Sequence, residues 1–564
     1  GGEDMTRLNM PVGVSGFEKL RERNYFYIDK TELIEQILLD DGIEVRLITR
    51  PRRFGKTLSM SMLESFFDIR RDSKRFFHDL KIMENTELCD KWMNRYPVIF
   101  LSFKEVDGLG FEEAYAILRD VFAKLCTEHN YLLSSDKVTD YDKDILQRIT
   151  YRRAETNEIK DSLKVLTHAL RSYWGKPAIV LLDEYDVPIA KASEHGYYEE
   201  MLNVIKGMMQ VFKDNNDMAL AVVTGCLRVA KESIFTGTNN FAVNTISSNS
   251  LDEYFGFTQE EVDRILENAG AIAQREKVKE WYDGYRFGNT EIYCPWDVIN
   301  YARDFMMEGR TEPACYWNNT SGNTIIRSFV EDFSMDIGEE FEALLKGGYV
   351  QKEIKEDLTY DLLHSSEENF WSVLYLTGYL TMDSSCTQEQ IVRGNIYLRI
   401  PNKEVKQIFN TTVREWFLDS VKIFDRSKLF KAVWTGDEAA LSNEITNLLL
   451  VTISFFDYKE DFYHAFLAGI FAGAGYKVES NREHGNGRSD VIVYDKYQRR
   501  IVIFEAKHSD TFENLEKDCD KALDQIAIQK YDIDFLRVYK QVICYGISFY
   551  KKECLVKKKD CKIS

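Results

Sequence analysis

A phosphate-binding loop is the first chemistry that residue types and spacing suggest. Residues 50–57 read RPRRFGKT, follow an apolar run and precede a helical pattern. At a helix N-terminus, backbone N–H groups can surround a phosphate, a lysine can reach the β- and γ-phosphates, and a threonine hydroxyl can hold Mg²⁺. Arg50 stands where the general motif has its first glycine. The pattern predicts contacts with a nucleotide, and with Mg²⁺ at the threonine, for Arg53, Gly55, Lys56 and Thr57.

Two neighbouring acidic residues further along the chain could complete such a site. The apolar run 179–182 ends in Asp183 and Glu184. A carboxylate at the end of a buried strand can bind Mg²⁺ beside a phosphate loop. The adjacent glutamate can orient and activate the attacking water. The alternative is a solvated pair that ends a strand, but the GKT loop upstream favours ATP hydrolysis, with Asp183 as a metal ligand and Glu184 as a catalytic residue.

Two polar residues that follow the next apolar run could sense the γ-phosphate. Thr224 ends the run 218–224, and Arg228 lies four residues further on. Thr224 could contact the γ-phosphate, or it could be a hydroxyl that satisfies the backbone at a strand end. Arg228 could offset phosphate charge, or it could be an ordinary surface arginine. We predict nucleotide contacts for both.

A second group of charged residues lies near the end of the chain. Asp490 opens one predicted strand, and the next strand ends in Glu505, two residues before Lys507. Alternation along a strand puts Glu505 and Lys507 on one face, and a hairpin could bring Asp490 beside them. Two carboxylates and a lysine suit metal-dependent phosphodiester cleavage. Asp490 and Glu505 would bind Mg²⁺ or Mn²⁺, and Lys507 would position or activate the water.

Alternating strands and helices must position the first group of residues. Short apolar, β-branched runs bounded by polar residues are typical of buried strands, and they occur at 44–49, 97–103, 178–183 and 218–224. Helical patterns lie between them. This order predicts an α/β fold with a mostly parallel sheet covered on both faces.

The pattern changes after this sheet. Residues 251–450 read as predominantly helical, and the last part of the chain reads as helix, three strands, helix and strand. We therefore predict three domains: a phosphate-loop sheet domain at 10–250, a mainly helical lid or linker at 251–450, and a second α/β domain at 451–564.

Composition limits the class of protein. A chain of 564 residues is longer than one hydrophobic core usually supports, so several domains are expected. A net charge of −19 argues against a protein that coats nucleic acid over its whole surface. Basic residues cluster at 46–56 and 551–562, which leaves room for a local phosphate or nucleic-acid site or, in the tail, for a solvated terminus. Without a secretory signal or an apolar run of about 20 residues, a cytoplasmic protein without a membrane span is expected.

The N-terminal motifs resemble one family. Residues 27–31 (YIDKT), 50–57 (RPRRFGKT), 181–186 (LLDEYD) and 224–235 (TGCLRVAKESIF) resemble the AAA-ATPase-like family, and the similarity spans about the first 250 residues. That family's loop is rich in arginine and lacks the first glycine, so Arg50 does not count against nucleotide binding. The resemblance implies an AAA-like ATPase but does not indicate what substrate it acts on.

The C-terminal stretch resembles a nuclease superfamily. Residues 460–547 are similar to PD-(D/E)XK nuclease domains, which share the predicted order of helix, three strands, helix and strand. The resemblance implies that Glu460 is an acid of the first helix; alternatively, it is a first-turn glutamate that favours the helix dipole. Gln525 and Lys530 on the next predicted helix could face the same site.

Two hypotheses of function follow. The first is a protein that binds and hydrolyses ATP and cleaves nucleic acid, DNA in the first instance, in a Mg²⁺-dependent manner. The second is a nucleotide-dependent switch whose C-terminal domain binds nucleic acid or a partner without cleavage. The trio of Asp490, Glu505 and Lys507 favours cleavage, because a domain used only for binding does not need it. The negative charge favours the second hypothesis. Homo-oligomerisation stays open under both.

Overall fold

The apolar runs of the N-terminal half form a parallel β-sheet. Strands of a parallel sheet that is covered on both faces typically read as continuous apolar runs. In the computed structural model the strand order is β2-β3-β4-β1-β5, and all neighbouring pairs are parallel. The strands are β1 (Val45–Thr49), β2 (Val98–Ser102), β3 (Ala178–Asp183), β4 (Met218–Gly225) and β5 (Phe241–Asn244). The predicted sheet is confirmed, and β5 is an edge strand that the sequence did not indicate.

The chain divides into two compact units. The structure describes residues 8–40, 42–228, 235, 241–317, 338–358, 360, 366–411, 425–452, 460–480, 490–529, 535 and 538–560. The N-terminal unit comprises Gly1–Asn319 and Tyr349–Lys406, and the C-terminal unit comprises Thr320–Gly348 and Gln407–Ser564.

Helices account for most of the regular structure outside the sheets. Among the described residues they are α1 (Phe17–Glu22), α2 (Glu32–Leu39), α3 (Lys56–Phe67), α4 (Lys74–Phe77), α5 (Thr86–Trp92), α6 (Phe111–Glu128), α7 (Asp140–Thr150), α8 (Thr156–Trp174), α9 (Val187–His195), α10 (Tyr198–Met208), α11 (Gln259–Ala269), α12 (Arg275–Tyr282), α13 (Pro295–Glu308), α14 (Gly338–Leu345), α15 (Glu367–Leu376), α16 (Gln388–Arg393), α17 (Ser427–Thr435), α18 (Glu438–Thr452), α19 (Glu460–Ala472) and α20 (Leu515–Gln529). Short 3-10 helices lie at Lys81–Glu84, Asn130–Ser134, Met209–Phe212, Ile272–Gln274 and Phe512–Asn514. None of the described helices is long and apolar enough to cross a membrane.

Both faces of the parallel sheet are covered. Ile179 and Leu181 of β3 pack in one hydrophobic cluster with side chains of α1, α2 and α3. Val180 and Leu182 point to the opposite face by alternation and are equally buried, with no accessible surface. The sheet is therefore the centre of the first unit, and the loops at the carboxyl ends of its strands meet at one edge.

The predicted middle region is divided between the two units. Residues 251–319 and 349–406 belong to the N-terminal unit, to which they add a hairpin and a three-stranded antiparallel sheet of order β8-β10-β9, whereas residues 320–348 belong to the C-terminal unit. These strands are β6 (Tyr285–Phe287), β7 (Thr290–Ile292), β8 (Val350–Glu353), β9 (Thr381–Met382) and β10 (Asn395–Arg399). Helices α17 and α18 belong to the C-terminal unit. The three-domain division stays a prediction.

The C-terminal unit contains a mixed sheet of order β11-β12-β13-β14-β15. Its strands are β11 (Lys477–Ser480), β12 (Asp490–Asp495), β13 (Arg500–His508), β14 (Gln541–Tyr550) and β15 (Glu553–Asp560). Phe471 of α19 stacks on Phe504, whereas Ile526 of α20 packs with Ile501 and Ile503, so the two helices cover opposite faces. The predicted second α/β core is confirmed. The lysines at 557–559 lie in β15, which extends the sheet beyond the predicted strands.

Helix α18 covers the outer edge of β15. Three of its side chains, spaced four residues apart, accept hydrogen bonds from alternate backbone N–H groups of the strand. The pairs are Glu438 with Lys558, Ser442 with Val556 at 3.0 Å, and Thr446 with Cys554 at 3.2 Å. An uncovered strand edge can pair with another chain. This helix satisfies the edge and blocks such pairing.

Removing one of these acceptors should loosen the edge strand. In a Thr446→Val variant, the Cys554 N–H loses its partner, which typically costs about 1–3 kcal/mol. Hydrogen–deuterium exchange should become faster at Glu553–Asp560. Thr435→Val is the matched control, because the Thr435 hydroxyl bonds the Lys431 carbonyl within its own helix. Equal exchange at β15 in both variants would contradict the role of α18.

Candidate nucleotide and phosphodiester sites

The phosphate loop connects the end of β1 to the start of α3. Gly55 is the N-cap of α3 and has a φ of 82°, a left-handed conformation that glycine adopts without strain. Arg53 also has a positive φ, 73°. A non-glycine residue in this conformation costs free energy and is often retained at a functional site. The loop therefore ends at the N-terminus of a 12-residue helix, where free N–H groups favour an anion.

Arg50 explains how the loop does without the first glycine of the general motif. Its side chain is fully buried and donates to the Asn244 side chain at 2.6 Å and to the Leu251 carbonyl at 3.1 Å. Burial lowers the pKa of Arg50 to about 9. Arg50 thus attaches the loop to the end of β5 and to the segment after it. Its side chain belongs to the interior and not to an exposed basic surface.

Two further loop residues are held by the part of the chain that follows the sheet. The Arg53 guanidinium lies 4.6 Å from the ring of Trp296 and donates to the Tyr316 carbonyl at 2.7 Å. Phe54 is fully buried against Tyr285, with ring centroids 5.0 Å apart. The Arg53 side chain is therefore held by residues beside the loop. We expect its predicted contact with a nucleotide to come from its backbone N–H group.

Asp183 is the centre of a hydrogen-bonded cluster at the end of β3. Thr57 donates to Asp183 Oδ2 at 2.8 Å and Thr224 donates to Oδ1 at 2.7 Å. The Thr224 hydroxyl thus bonds a carboxylate and not the strand-end backbone. Asp183 has no accessible surface, and burial raises its pKa, as does Glu184, whereas the two threonine hydrogen bonds act in the opposite direction. Three predicted site residues meet here through direct contacts.

Lys56 and Glu184 lie beside this cluster. The Lys56 ammonium is 3.6 Å from Glu184 Oε1 and also donates to the carbonyls of Arg50 and Pro51. Burial opposes its charge, but Cys226 and the carboxylates of Glu184 and Asp183 outweigh burial and raise the pKa of Lys56. Lys56 therefore carries a positive charge inside the protein. Glu184 has a φ of 54°, a left-handed conformation at the strand tip.

Arg228 lies three residues beyond the end of β4 and is partly buried. The turn that carries it is held by Asp186, whose carboxylate accepts the N–H groups of Cys226 and Leu227, both at 3.0 Å. Sequence reasoning missed Asp186. The available signal was the last aspartate of LLDEYD, because a position that merely follows a strand does not require an acidic residue. Residues 229–234 of the quoted motif lie outside the described residues.

The C-terminal acidic residues lie on neighbouring antiparallel strands. Asp490 of β12 is paired in register with Glu505 of β13, as the predicted hairpin requires. Glu505 is fully buried, and its Oε1 lies 3.0 Å from the Lys507 ammonium. Its Oε2 is also buried and has no hydrogen-bond partner among the described residues. A buried carboxylate oxygen without a partner is costly unless a cation satisfies it.

Side chains alternate between the two faces along β13, and Phe504 faces α19. Glu505 and Lys507 therefore lie on the opposite face, which α20 covers. Gln525 is on α20 and so belongs to the same side of the sheet. Glu460 begins α19, which packs on the other face. The side chains of Asp490 and Glu460, and all of Lys530, lie outside the described residues.

Two families of known proteins match separate parts of this chain. The AAA-ATPase-like family, described as predicted AAA-ATPase, matches residues 11–235, and the PD-(D/E)XK nuclease superfamily matches residues 458–559. A relative from Azotobacter chroococcum mcd 1, called an uncharacterized protein in the vnfD 5'region, is 24% identical over 519 residues, covering 89% of this chain and 90% of the relative. The solved Aeropyrum pernix ORC2 protein, with ADPNP and ADP, aligns over 70% of this chain and 93% of its own, at 11% identity and a TM-score of 0.19, too low to indicate a shared arrangement. This chain therefore joins a domain of the AAA-ATPase-like family to a C-terminal domain of the PD-(D/E)XK nuclease superfamily.

Proposed function

We propose that the N-terminal unit binds ATP and hydrolyses it with Mg²⁺, and that the C-terminal unit cleaves phosphodiester bonds of nucleic acid, DNA in the first instance. The observation that carries the proposal is the cluster at the carboxyl end of the parallel sheet. Thr57 and Thr224 bond the two oxygens of Asp183, and the charged Lys56 lies beside Glu184. A hydroxyl, a carboxylate, a cation and a second carboxylate are the groups that phosphoryl transfer to water requires.

The residues of the first site have distinct roles in this proposal. The Lys56 ammonium exchanges its bonds to the Arg50 and Pro51 carbonyls for phosphate oxygens. Thr57 and Asp183 hold Mg²⁺, which neutralises phosphate charge when bound. Magnesium keeps several waters and substrate oxygens and needs only one or two protein carboxylates. Thr57 and Asp183, whose side chains lie 2.8 Å apart, supply one hydroxyl and one carboxylate, which is enough for such a site.

Glu184 is the residue that contacts the attacking water in this proposal. Its carboxylate is next in sequence to Asp183, and its side chain is 15% exposed, so it can reach solvent that Asp183 cannot. Glu184 orients the water and accepts its proton. Thr224 keeps Asp183 in place, Arg228 offsets the γ-phosphate charge, and the backbone at Arg53 and Gly55 contacts the phosphates.

The second site is proposed on the Glu505–Lys507 pair. The buried Glu505 Oε2 fits a divalent cation, Mg²⁺ or Mn²⁺, because a cation would satisfy the oxygen. Asp490, opposite in register, is the second proposed ligand. Lys507 orients the attacking water and offsets the charge of the phosphodiester.

Incubation of the full chain with nucleic acids tests both halves. Linear, circular and single-stranded DNA and RNA are each mixed with the protein, with and without ATP and with Mg²⁺ or Mn²⁺. We expect ATP hydrolysis and metal-dependent cleavage of DNA. Binding without cleavage under all conditions would favour the alternative, a nucleotide-dependent switch whose C-terminal domain binds nucleic acid or a partner.

If the two units work together, occupancy of one site should change the affinity of the other. Linkage makes such coupling reciprocal: if ATP alters the affinity for DNA, DNA must alter the affinity for ATP by the same factor. A coupling free energy of about 1–3 kcal/mol corresponds to about 5–150-fold in dissociation constant. Binding isotherms of each ligand at saturating concentrations of the other measure it.

Lys56→Ala provides the control for coupling, because it should weaken ATP binding and remove the effect of ATP on DNA affinity. A change in DNA affinity that ATP still produces in this variant would mean that the effect arises elsewhere. Identical isotherms with and without the second ligand would indicate two independent activities on one chain.

A further inference from the structure

The carboxylate of Asp186 is buried at the edge of the proposed ATPase site. Asp186 precedes α9 and is 2% exposed. Its Oδ2 accepts three hydrogen bonds: from the N–H groups of Cys226 and Leu227 at 3.0 Å, and from the Tyr360 hydroxyl at 2.9 Å. This number of donors on one oxygen fixes the orientation of the carboxylate.

The turn that Asp186 holds follows β4 and adjoins Lys56. The Cys226 thiol lies 3.7 Å from the Lys56 ammonium, and the chain continues to Arg228. Tyr185 supports the same turn, since its hydroxyl donates to the Leu227 carbonyl at 2.9 Å. The position of this turn therefore determines where the Cys226 thiol and Arg228 lie relative to the Lys56 ammonium.

Gly225 shows how closely this turn approaches Asp186. A Cβ atom at Gly225 would lie 2.6 Å from Asp186 Oδ1 and 2.6 Å from the Tyr185 ring. Only a residue without a side chain allows this approach. The contact between the turn and the carboxylate is thus specified by both partners.

Tyr360 reaches this site from a distant part of the chain. It is 8% exposed, lies 174 residues from Asp186 in sequence, and belongs to the same unit. Its carbonyl accepts a hydrogen bond from Ser193 of α9 at 3.1 Å, which fixes its backbone next to Asp186. A tyrosine hydroxyl placed on a buried carboxylate is a specific contact, because a phenylalanine ring would fill the same space without it.

We infer that Asp186 and Tyr360 are positioning residues of the ATPase site. The Tyr360 hydroxyl orients the Asp186 carboxylate, and the carboxylate holds the turn 225–228 so that it contacts Lys56 and places Arg228. This inference rests on the proposed ATP hydrolysis and assigns that site two residues which touch neither nucleotide nor metal. The effect should be in turnover, because the turn adjusts groups that contact the transferring phosphate.

The test is a Tyr360→Phe variant of the full chain, which removes one oxygen and keeps the ring. Asp186→Ala is less suitable, since two buried N–H groups would lose their acceptor and the protein could fail to fold. The free energy of one buried hydrogen bond corresponds to about a tenfold change in rate. We therefore expect kcat to fall about tenfold in this variant, with an unchanged KM for ATP. Tyr301→Phe is the matched control: Tyr301 is buried in the same unit, and its hydroxyl donates to the Thr311 carbonyl at 3.0 Å.

Alkylation of Cys226 reports on the turn itself. Iodoacetamide modification, followed by mass spectrometry of the Cys226 peptide, should be faster in Tyr360→Phe than in the parent and in Tyr301→Phe. This measurement needs no turnover, so it tests the contact even if the parent protein does not hydrolyse ATP, a result that would instead overturn the proposed function. A parent-like kcat in Tyr360→Phe, an equal fall in Tyr301→Phe, or unchanged Cys226 alkylation would each overturn the inference.

Discussion

Replacing Glu184 with glutamine should leave a protein that binds ATP but hydrolyses it at least about a hundredfold more slowly, the usual loss when a general base is removed. Glutamine keeps the shape of the side chain but cannot accept the proton of the attacking water. The nearby Lys56, 3.6 Å away, is retained for the phosphates, so affinity should survive. Phosphate release measures the rate, and a fluorescent ATP analogue measures binding.

Lys56→Ala should behave differently, because it removes the cation that contacts the phosphates and should weaken binding as well as abolish hydrolysis. The matched control for Glu184 is Glu194→Gln on α9, an exposed glutamate whose partner is Lys191. We expect this control to hydrolyse ATP like the parent. If Glu184→Gln and Lys56→Ala both keep the parent rate, the site assignment is wrong.

The second large effect is expected at the C-terminal unit. Lys507→Ala should keep metal binding but lose about 10²–10³-fold in the rate of DNA cleavage, because the water and the phosphate lose a charged partner. Asp490→Ala should lose both metal binding and cleavage, since it removes a proposed ligand. Calorimetry with Mn²⁺ and a gel assay over a series of times distinguish the two.

Lys431→Ala is the control for the lysine substitution, because Lys431 is an exposed residue on α17 in the same unit. It should cut like the parent. ATP hydrolysis should persist in Asp490→Ala and in Lys507→Ala, since the phosphate loop belongs to the other unit. A parent rate of cleavage in Lys507→Ala would exclude the proposed site, and a parent protein that cuts nothing would favour the binding alternative.

Patterning along the sequence was sufficient where the interactions are local. The predicted strand 178–183 is β3, and helices such as α3 and α8 lie between the predicted strands, as the sequence analysis expects. These segments have long apolar runs or clear helical periodicity, which specify the element without reference to its neighbours.

Patterning failed where partners decide the structure. β5 consists of only Phe241–Asn244 and is a strand because it pairs with β1. β15 contains three consecutive lysines, which indicated a tail, yet it is a strand because β14 pairs with it on one side and α18 covers the other. A short or charged segment has little propensity of its own, so its tertiary partners determine its conformation.

The sequence by itself determined which residues of the proposed nucleotide site have side chains suited to the chemistry and roughly where they lie. A strand, a loop and a helix N-terminus are contiguous, so the loop up to Thr57 could be recognised from its spacing, as could the strand that ends at Asp183. Only the tertiary structure decided what holds them. Arg50 replaces a glycine because Asn244 and Leu251 receive its guanidinium, and Asp186 meets Tyr360 across 174 residues. The physical reason is that local periodicity fixes an element, whereas buried polar contacts between distant residues depend on strand order and packing, which no short pattern specifies.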